Sequence, residues 1–488
     1  MERNNSSLGF GSEIAAIAGG SILFAILLLS LIVFQSTGAI VLLAVATGIL
    51  YTVGVFRSEK FGFYSYYTFT YWMFQLNLYA GVTQTGVLAD ALLLLNVIII
   101  LITQLYSREI DRPIYTYRSV WIWLVWLLVS IFINVINSGG VNWMSFVYGV
   151  RRFYLNPIGF VFLNILVVKS KEDFYQFLRI TAVFGFITAL VGYRQFYFGF
   201  NSAENGLLAT EFGRTHLLPG SIRYWSTFSD AASYGIGMSF YSVIAVSYAI
   251  VTQSKRQKNF AIFLAIIFAH QVLISGTRTA FATLGIGLVL AFAFYLRGRR
   301  RAISLTLSAI TYAIIRYTYI GDGIAIIRRL RTSLNPEDAS LLVRVQNRVL
   351  LSDWLDGHFF GGGIGATQFD RRFDPGSFLA TFPPDGLYVM YRAEVGYVGE
   401  YTYILLSIII FAYTLYLISK TNPFGERRVW MVTILAVTAG ARLSEYAQFV
   451  TFQFPLVNML FFLLIALEKW PYWSERTIFI EKDKAPFL

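Results

Sequence analysis

Four stretches of this chain hold the residue types best suited to chemistry, and each brings an arginine or an acid. They are Arg223-Tyr-Trp-Ser-Thr-Phe-Ser-Asp230, Ser275-Gly-Thr-Arg278-Thr-Ala280, Arg344-Val-Gln-Asn-Arg348, and a longer run from Gly361 to Gly399 that carries Asp385 within Pro383-Pro-Asp-Gly386. A guanidinium group offers a rigid fork that matches phosphate oxygens in pairs, whereas lysine acts mainly as a point charge. Arg223 precedes a helix start that Ser229 or Asp230 can cap, and a helix N-terminus favours anions. Arg278 sits in a tight polar turn between two apolar stretches, where a lone arginine needs a partner or a cavity to face. Arg344 and Arg348 are four residues apart and share a helix face, an arrangement that suits a diphosphate or simply a solvated surface. Asp385 is either a proton acceptor or a turn residue.

These stretches are set among elements that composition already defines. Apolar residues make up 56% of the 488 residues, aromatics 17% and charged residues only 14%, with a mean hydropathy of +0.60. That excludes a soluble domain and predicts an all-α, polytopic transmembrane helical bundle, because a span needs about 20 apolar residues and barrel-type alternation is lacking. About 12–14 spans fit. They are expected near 14–34, 37–56, 66–83, 90–106, 119–138, 155–168, 177–197, 231–252, 260–274, 279–296, 302–320, 396–419, 429–446 and 450–468. The first reads as a retained span and not a cleaved signal. Residues 1–468 form one membrane domain, residues 321–395 one large extracytoplasmic loop within it, and 469–488 a charged cytoplasmic tail. The chain has no cysteine, so disulfide and thiol chemistry are excluded.

Alternate short loops collect positive charge, at Arg57 and Lys60, Arg108 and Arg112, Lys169 and Lys171, Lys255 to Lys258, Arg297 to Arg301, and Lys420 to Arg428. The positive-inside rule puts these, and both termini, in the cytoplasm. The opposite face then receives only arginine: Arg151, Arg152, Arg214, Arg223, Arg278, Arg328, Arg329, Arg331, Arg344, Arg348, Arg371, Arg372, Arg392 and Arg442. Some of these pair with loop acids such as Asp338, Asp353, Asp356, Asp370 and Asp374 or rest near lipid phosphates, and the surplus marks an anion site.

Other chemistries find little footing. The glycine cluster Gly361-Gly-Gly-Ile-Gly365 is followed by no GK[ST] and reads as a turn with close backbone packing. There is no DxD pair for a divalent metal, and His216, His270 and His358 are scattered. His270 lies mid-span, where a helix–helix hydrogen bond explains it. No metal or cofactor is therefore expected.

The Ser-Gly-Thr-Arg278-Thr-Ala turn, the loop Arg344 followed by His358-Phe-Phe-Gly-Gly-Gly-Ile-Gly365, and the segment Asp385-Gly-Leu-Tyr-Val-Met-Tyr-Arg-Ala-Glu394-Val-Gly396-Tyr-Val-Gly399 together resemble, in that order, the bacterial O-antigen ligase and Wzy-type polymerase superfamily. The likeness covers the second half of the chain. It implies a GT-C-like fold that takes a glycan from a polyprenyl diphosphate on the outer leaflet of the inner membrane, without nucleotide or metal. Arg223, Arg278 and Arg344 match the arginines that hold the diphosphate in that family, and Arg348 joins them as a diphosphate ligand by its spacing from Arg344. Ligases carry a histidine where this chain has Asp385, which shifts the expectation towards a polymerase that joins oligosaccharide repeat units of an O-antigen or exopolysaccharide. The catalytic set is then Asp385 as base with Arg278 and Arg344, and Glu394 and Glu400 are reserves that otherwise cap or pair with Arg392. Tyr224, Trp225, Tyr388 and Tyr391 are candidates for stacking on sugars. Partners are the lipid-linked oligosaccharide and membrane lipids, with a chain-length regulator and a flippase as further partners, and no nucleic acid. A transporter or flippase of a lipid-linked glycan or anionic solute is the competing class, and it requires midplane charges on matched broken helices. A non-catalytic assembly scaffold is the third.

Overall fold

Where they are described, the apolar stretches fold as helices, and several of them start on a small polar side chain that caps the first turn. The computed structural model describes residues 37–82, 85–107, 116–137, 141–218, 221–321, 323, 327–328, 331, 339–421, 425–450 and 453–483. The expected first span at 14–34 lies outside them, as do Arg108, Arg112, Arg329 and Asp338. In chain order the helices are α1 (Thr37–Arg57), α2 (Glu59–Ala80), α3 (Thr85–Ser107), α4 (Arg118–Ile136), α5 (Trp143–Val167), α6 (Lys171–Phe198), α7 (Ser202–Leu208) and α8 (Glu211–His216). A two-residue hairpin, β1 (Leu217–Leu218) and β2 (Ser221–Ile222), pairs Leu217 with Ile222. Then come α9 (Ala231–Val251), α10 (Lys255–Ser275), α11 (Arg278–Tyr295), α12 (Gly298–Tyr317), α13 (Ala339–Leu355), α14 (Asp370–Phe373), α15 (Phe378–Thr381), α16 (Leu387–Lys420), α17 (Glu426–Ser444) and α18 (Phe454–Asp483).

Among the described residues, nine helices are long and apolar enough to cross a membrane: α3 to α6, α9 to α11, α16 and α18. The chain is an all-helical, multi-pass membrane protein. The stretches expected at 302–320 and 429–446 are helices too, α12 and α17. Charge keeps them below the threshold, because α12 carries Arg299, Arg300, Arg301 and Arg316 and α17 opens on Glu426-Arg427-Arg428. Ser58, Ser170, Asp230 and Ser254 cap α2, α6, α9 and α10 with side-chain oxygens, and at Ser170 the box is closed by Asp173.

α9 is the axis of the second half. It is buried almost throughout and packs on α10, α11 and α17. Lipid tails give helices no hydrophobic reason to associate, so close contact between small residues has to do it. A Cβ at Gly235 would meet the Ser275 Oγ at 2.4 Å, and one at Gly440 would meet the Thr283 Cγ2 at 2.5 Å. The Ser239 hydroxyl donates across to the Ala280 carbonyl at 2.8 Å, and Thr283 and Ser444 share a hydrogen bond of 2.7 Å.

Within the expected loop at 321–395 the described residues are largely helical and docked. α13 sets Leu351 and Leu355 against Leu379, Phe382, Val389 and Ala393 in a small core of its own. Within the expected tail α18 runs on to Asp483. Lys469, where that segment begins, donates its ammonium group to the carbonyls of Ile165 and Val168 at the end of α5 and fastens the two helices there.

Candidate functional site

The segment 223–230 is held by more contacts than its sequence announces. Asp230 caps α9, accepting from the N–H groups of Ala232 and Ser233 at 2.9 and 2.8 Å and from the Ser233 hydroxyl at 2.6 Å. Of the two residues expected to share that role, Asp230 takes it, and Ser229 turns to Gln453 at 2.9 Å. Ser226 is forced into the left-handed region at φ +52°. Its N–H donates to Gln195 and its hydroxyl to the Thr188 carbonyl, contacts that hold a conformation costing about 1–3 kcal/mol. His216 completes the frame, with Nε2 accepting from the Ala231 N–H at 3.3 Å and Nδ1 placed 2.9 Å from the Phe212 carbonyl.

Arg223 is fixed at both ends of its fork. One terminal nitrogen donates to the Thr215 carbonyl and the other to the Thr277 hydroxyl, each at 3.1 Å, and Nε is buried with no protein acceptor. Thr277 belongs to the polar turn between α10 and α11, which Gly276 makes possible with φ +60°. The same threonine donates to the Ala231 carbonyl. Arg278 is the first residue of α11, directly after this anchor. The turn therefore ties Arg278 to Arg223.

α13 brings the third arginine. Burial, above all, lowers the pKa of Arg223; Asp230 opposes that, and the positive charges of Arg278 and Arg344 add to it. Guanidinium groups from two distant parts of the chain, Arg278 and Arg344, thus act on Arg223. Like charges gathered this way favour an anion between them.

Asp385 joins through the middle of α13. Its Oδ2 accepts from the Asn347 amide at 2.7 Å, and Asn347 lies one turn beyond Arg344. Arg348, next in line, lays its guanidinium over the ring of Tyr446 at 3.9 Å and donates to its hydroxyl. Gly386 lets this assembly close, because a Cβ there would sit 2.5 Å from the Tyr446 carbonyl oxygen. The Leu387 N–H then donates to the Glu445 carbonyl at 2.9 Å.

The aromatic candidates divide. Trp225 is fully buried, stacked on Phe200 at 4.8 Å, and Tyr391 is fully buried against Trp126 and Tyr403 at 4.8 and 4.7 Å. Neither presents a face to a sugar, which corrects their assignment as glycan-binding residues. Tyr224 leans on Phe196 and Phe200, and Tyr388 is half-buried with its hydroxyl donating to the Arg442 carbonyl at 3.1 Å. The exposed ring beside Asp385 is Tyr446, at 42%. Sequence reasoning passed over it, as it passed over Asn347 and the strained Ser226. Asn347 and Ser226 lay inside stretches already singled out, and Tyr446 did not.

The reserve acids also separate. Glu400 pairs with Arg392 as expected. Glu394 is buried, accepting from the Thr367 hydroxyl at 2.6 Å below the glycine cluster. That cluster packs backbone against backbone, with Gly361, Gly363 and Gly365 all at positive φ. His270 hydrogen-bonds Tyr193 on the neighbouring α6 at 3.0 Å. No protein-family model and no curated protein matches this chain.

Proposed function

We propose that the chain is a GT-C-like membrane glycosyltransferase of the bacterial inner membrane, its site facing the periplasm or exterior, that takes a glycan from a polyprenyl-diphosphate carrier and polymerises oligosaccharide repeat units. One observation carries the reading. Arg278 and Arg344 both act on Arg223, and α13, which carries Arg344, holds the Asp385 carboxylate through Asn347 one turn on.

The chemistry follows from those groups. A hydroxyl of the acceptor sugar attacks the anomeric carbon of the donor glycan while the bond from that carbon to the diphosphate oxygen breaks. Charge grows on the leaving diphosphate as it departs, and preorganised guanidinium groups stabilise it there more than in the ground state. Asn347 occupies Oδ2 of Asp385, and Oδ1 accepts the proton of the attacking hydroxyl. Products are the lengthened glycan and the polyprenyl diphosphate.

The test is direct. Purified protein in nanodiscs, given synthetic polyprenyl-diphosphate oligosaccharide, is expected to yield a ladder of longer products. A single transfer to an added acceptor such as lipid A core would make it a ligase, and no transfer to any acceptor would remove the proposal. Arg278→Ala and Arg344→Ala are expected to lower turnover at least 100-fold, the scale of one lost charge stabiliser. Asp385→Asn separates the base from the clamp, since it should lower kcat while leaving KM for the donor within about twofold.

A further inference from the structure

A cavity of about 450 Å³ lies between α6, α9 and α10. A Cβ on Gly185 of α6 would stand 2.8 Å from the Tyr241 ring of α9 and 3.2 Å from Phe268 of α10, so the three helices touch there and close one end. From that point the walls are apolar. Leu178, Ala182 and Phe186 face the gap from α6, and Ala261, Leu264 and Phe268 face it from α10, each set spaced along one side of its helix. Val183 and Phe260, one on each wall, are exposed, so the hollow opens to the surroundings of the bundle, which for these helices is lipid.

Four polar residues gather at the other end. Tyr175 and Arg179 come from the first three turns of α6, Tyr248 from the last turn of α9 and Gln257 from the first turn of α10. The rings of Tyr175 and Tyr248 are 6.0 Å apart, and Gln257 Oε1 accepts from Tyr248 at 3.3 Å and from Thr252 at 2.8 Å, which leaves its amide nitrogen as a donor. Arg179 donates through Nε to the Tyr175 carbonyl at 3.3 Å, and among the described residues its two terminal nitrogens meet no acceptor. Among those residues no carboxylate lines the cavity, and Glu426, to which the Tyr175 hydroxyl donates, is paired with Lys171 at 2.5 Å. Arg179 stands about 12 Å along α6 from its start at Lys171, at a depth where an arginine is costly without a partner.

We infer that this cavity binds an anionic phospholipid, whose phosphate meets Arg179 and Gln257 while an acyl chain runs between α6 and α10 towards Phe268. Shape and charge agree on that occupant. A lipid of no net charge brings its own cation to the guanidinium, and a free phosphate would leave the apolar walls bare. A negative head group on a hydrocarbon chain satisfies both ends at once. The site is separate from the arginines proposed to hold the diphosphate, because Gln257 lies at the start of α10 and Arg278 follows its end, about 30 Å of helix away. It stands whether or not the chain transfers glycan.

Native mass spectrometry of the full chain in detergent, with dioleoyl phosphatidylglycerol or dioleoyl phosphatidylcholine added, reads the occupancy. The first phosphatidylglycerol is expected to bind about fivefold more tightly than phosphatidylcholine, the scale of one basic residue acting on an anionic lipid. Arg179→Gln should remove that preference and, because Arg179 is exposed, keep the wild-type melting temperature. Arg300→Gln, at an exposed arginine of α12 outside the cavity, should leave the preference intact. Dihexanoyl phosphatidylglycerol, which keeps the head group and loses most of the chain, should bind the wild type at least about 10-fold more weakly than the dioleoyl form. Equal affinity for the two lipid classes, a preference that survives Arg179→Gln, an equal loss in Arg300→Gln, or equal binding of the two chain lengths would each overturn the inference.

Discussion

A histidine that accepts a hydrogen bond from a helix N-terminus must be neutral to do so. His216 does this for the Ala231 N–H, and its pKa is lowered to about 4 by burial above all; the Phe212 carbonyl opposes this, Arg223 adds to it by less, and Asp230 opposes it by less again. Its ordinary value is near 6.5. Between those two values the unfolded chain binds the proton more readily than the folded one, so stability rises with pH across that window. The contribution is complete above about pH 6.5 and is lost as pH falls towards 4. The melting temperature of the wild type should therefore drop across this interval more steeply than that of His216→Gln, and parallel curves would show that His216 does not frame the Arg223 segment. The same residue scale limits what sequence alone conveys. The proximity of Arg223, Arg278 and Arg344 was foreshadowed because a guanidinium's charge and shape travel with it, whereas Trp225 and Tyr391 were not legible as sugar platforms or core, since an aromatic side chain suits either.

At the scale of elements, α16 breaks at Val395 and Gly396, where Gly396 takes φ +68°. The break frees the carbonyls of Ala393 and Glu394, and the N–H groups of Gly362 and Gly363 occupy them at 2.8 Å each. A Cβ at Gly396 would meet the Phe359 carbonyl oxygen at 2.2 Å. Gly396→Ala should destabilise the protein by about 2 kcal/mol or more, read as a lower melting temperature. Gly206→Ala, whose Cβ meets nothing within 4 Å, is the neutral comparison. Hydropathy revealed where most helices lie because burial in lipid dictates composition. It could not reveal the kink, whose cause lies in a glycine turn some thirty residues earlier, and it ended the last helix too soon because nothing local marks Lys469 as a fastener. The Gly361 cluster was legible as a tight turn, though its partner was not.

Across the whole molecule, the helices bring Arg278 and Arg344 to bear on Arg223 and set a lysine clasp at another place. Lys469 is nearly buried, and its ammonium group satisfies carbonyls at the end of α5, the helix whose beginning carries Arg151 and Arg152. Lys469→Met keeps the stem and removes the donors. It is expected to cost about 1–3 kcal/mol through unsatisfied carbonyls, and a melting temperature equal to the wild type's would show that the clasp is idle. The clasp also has a consequence for biogenesis. α5 is laid down more than three hundred residues before the side chain that finishes its last turn, so a nascent chain carries that helix end bare through most of its insertion. That end of α5 is therefore finished only once α18 arrives, and a polypeptide arrested before it would be presented to quality-control proteases with the helix end open.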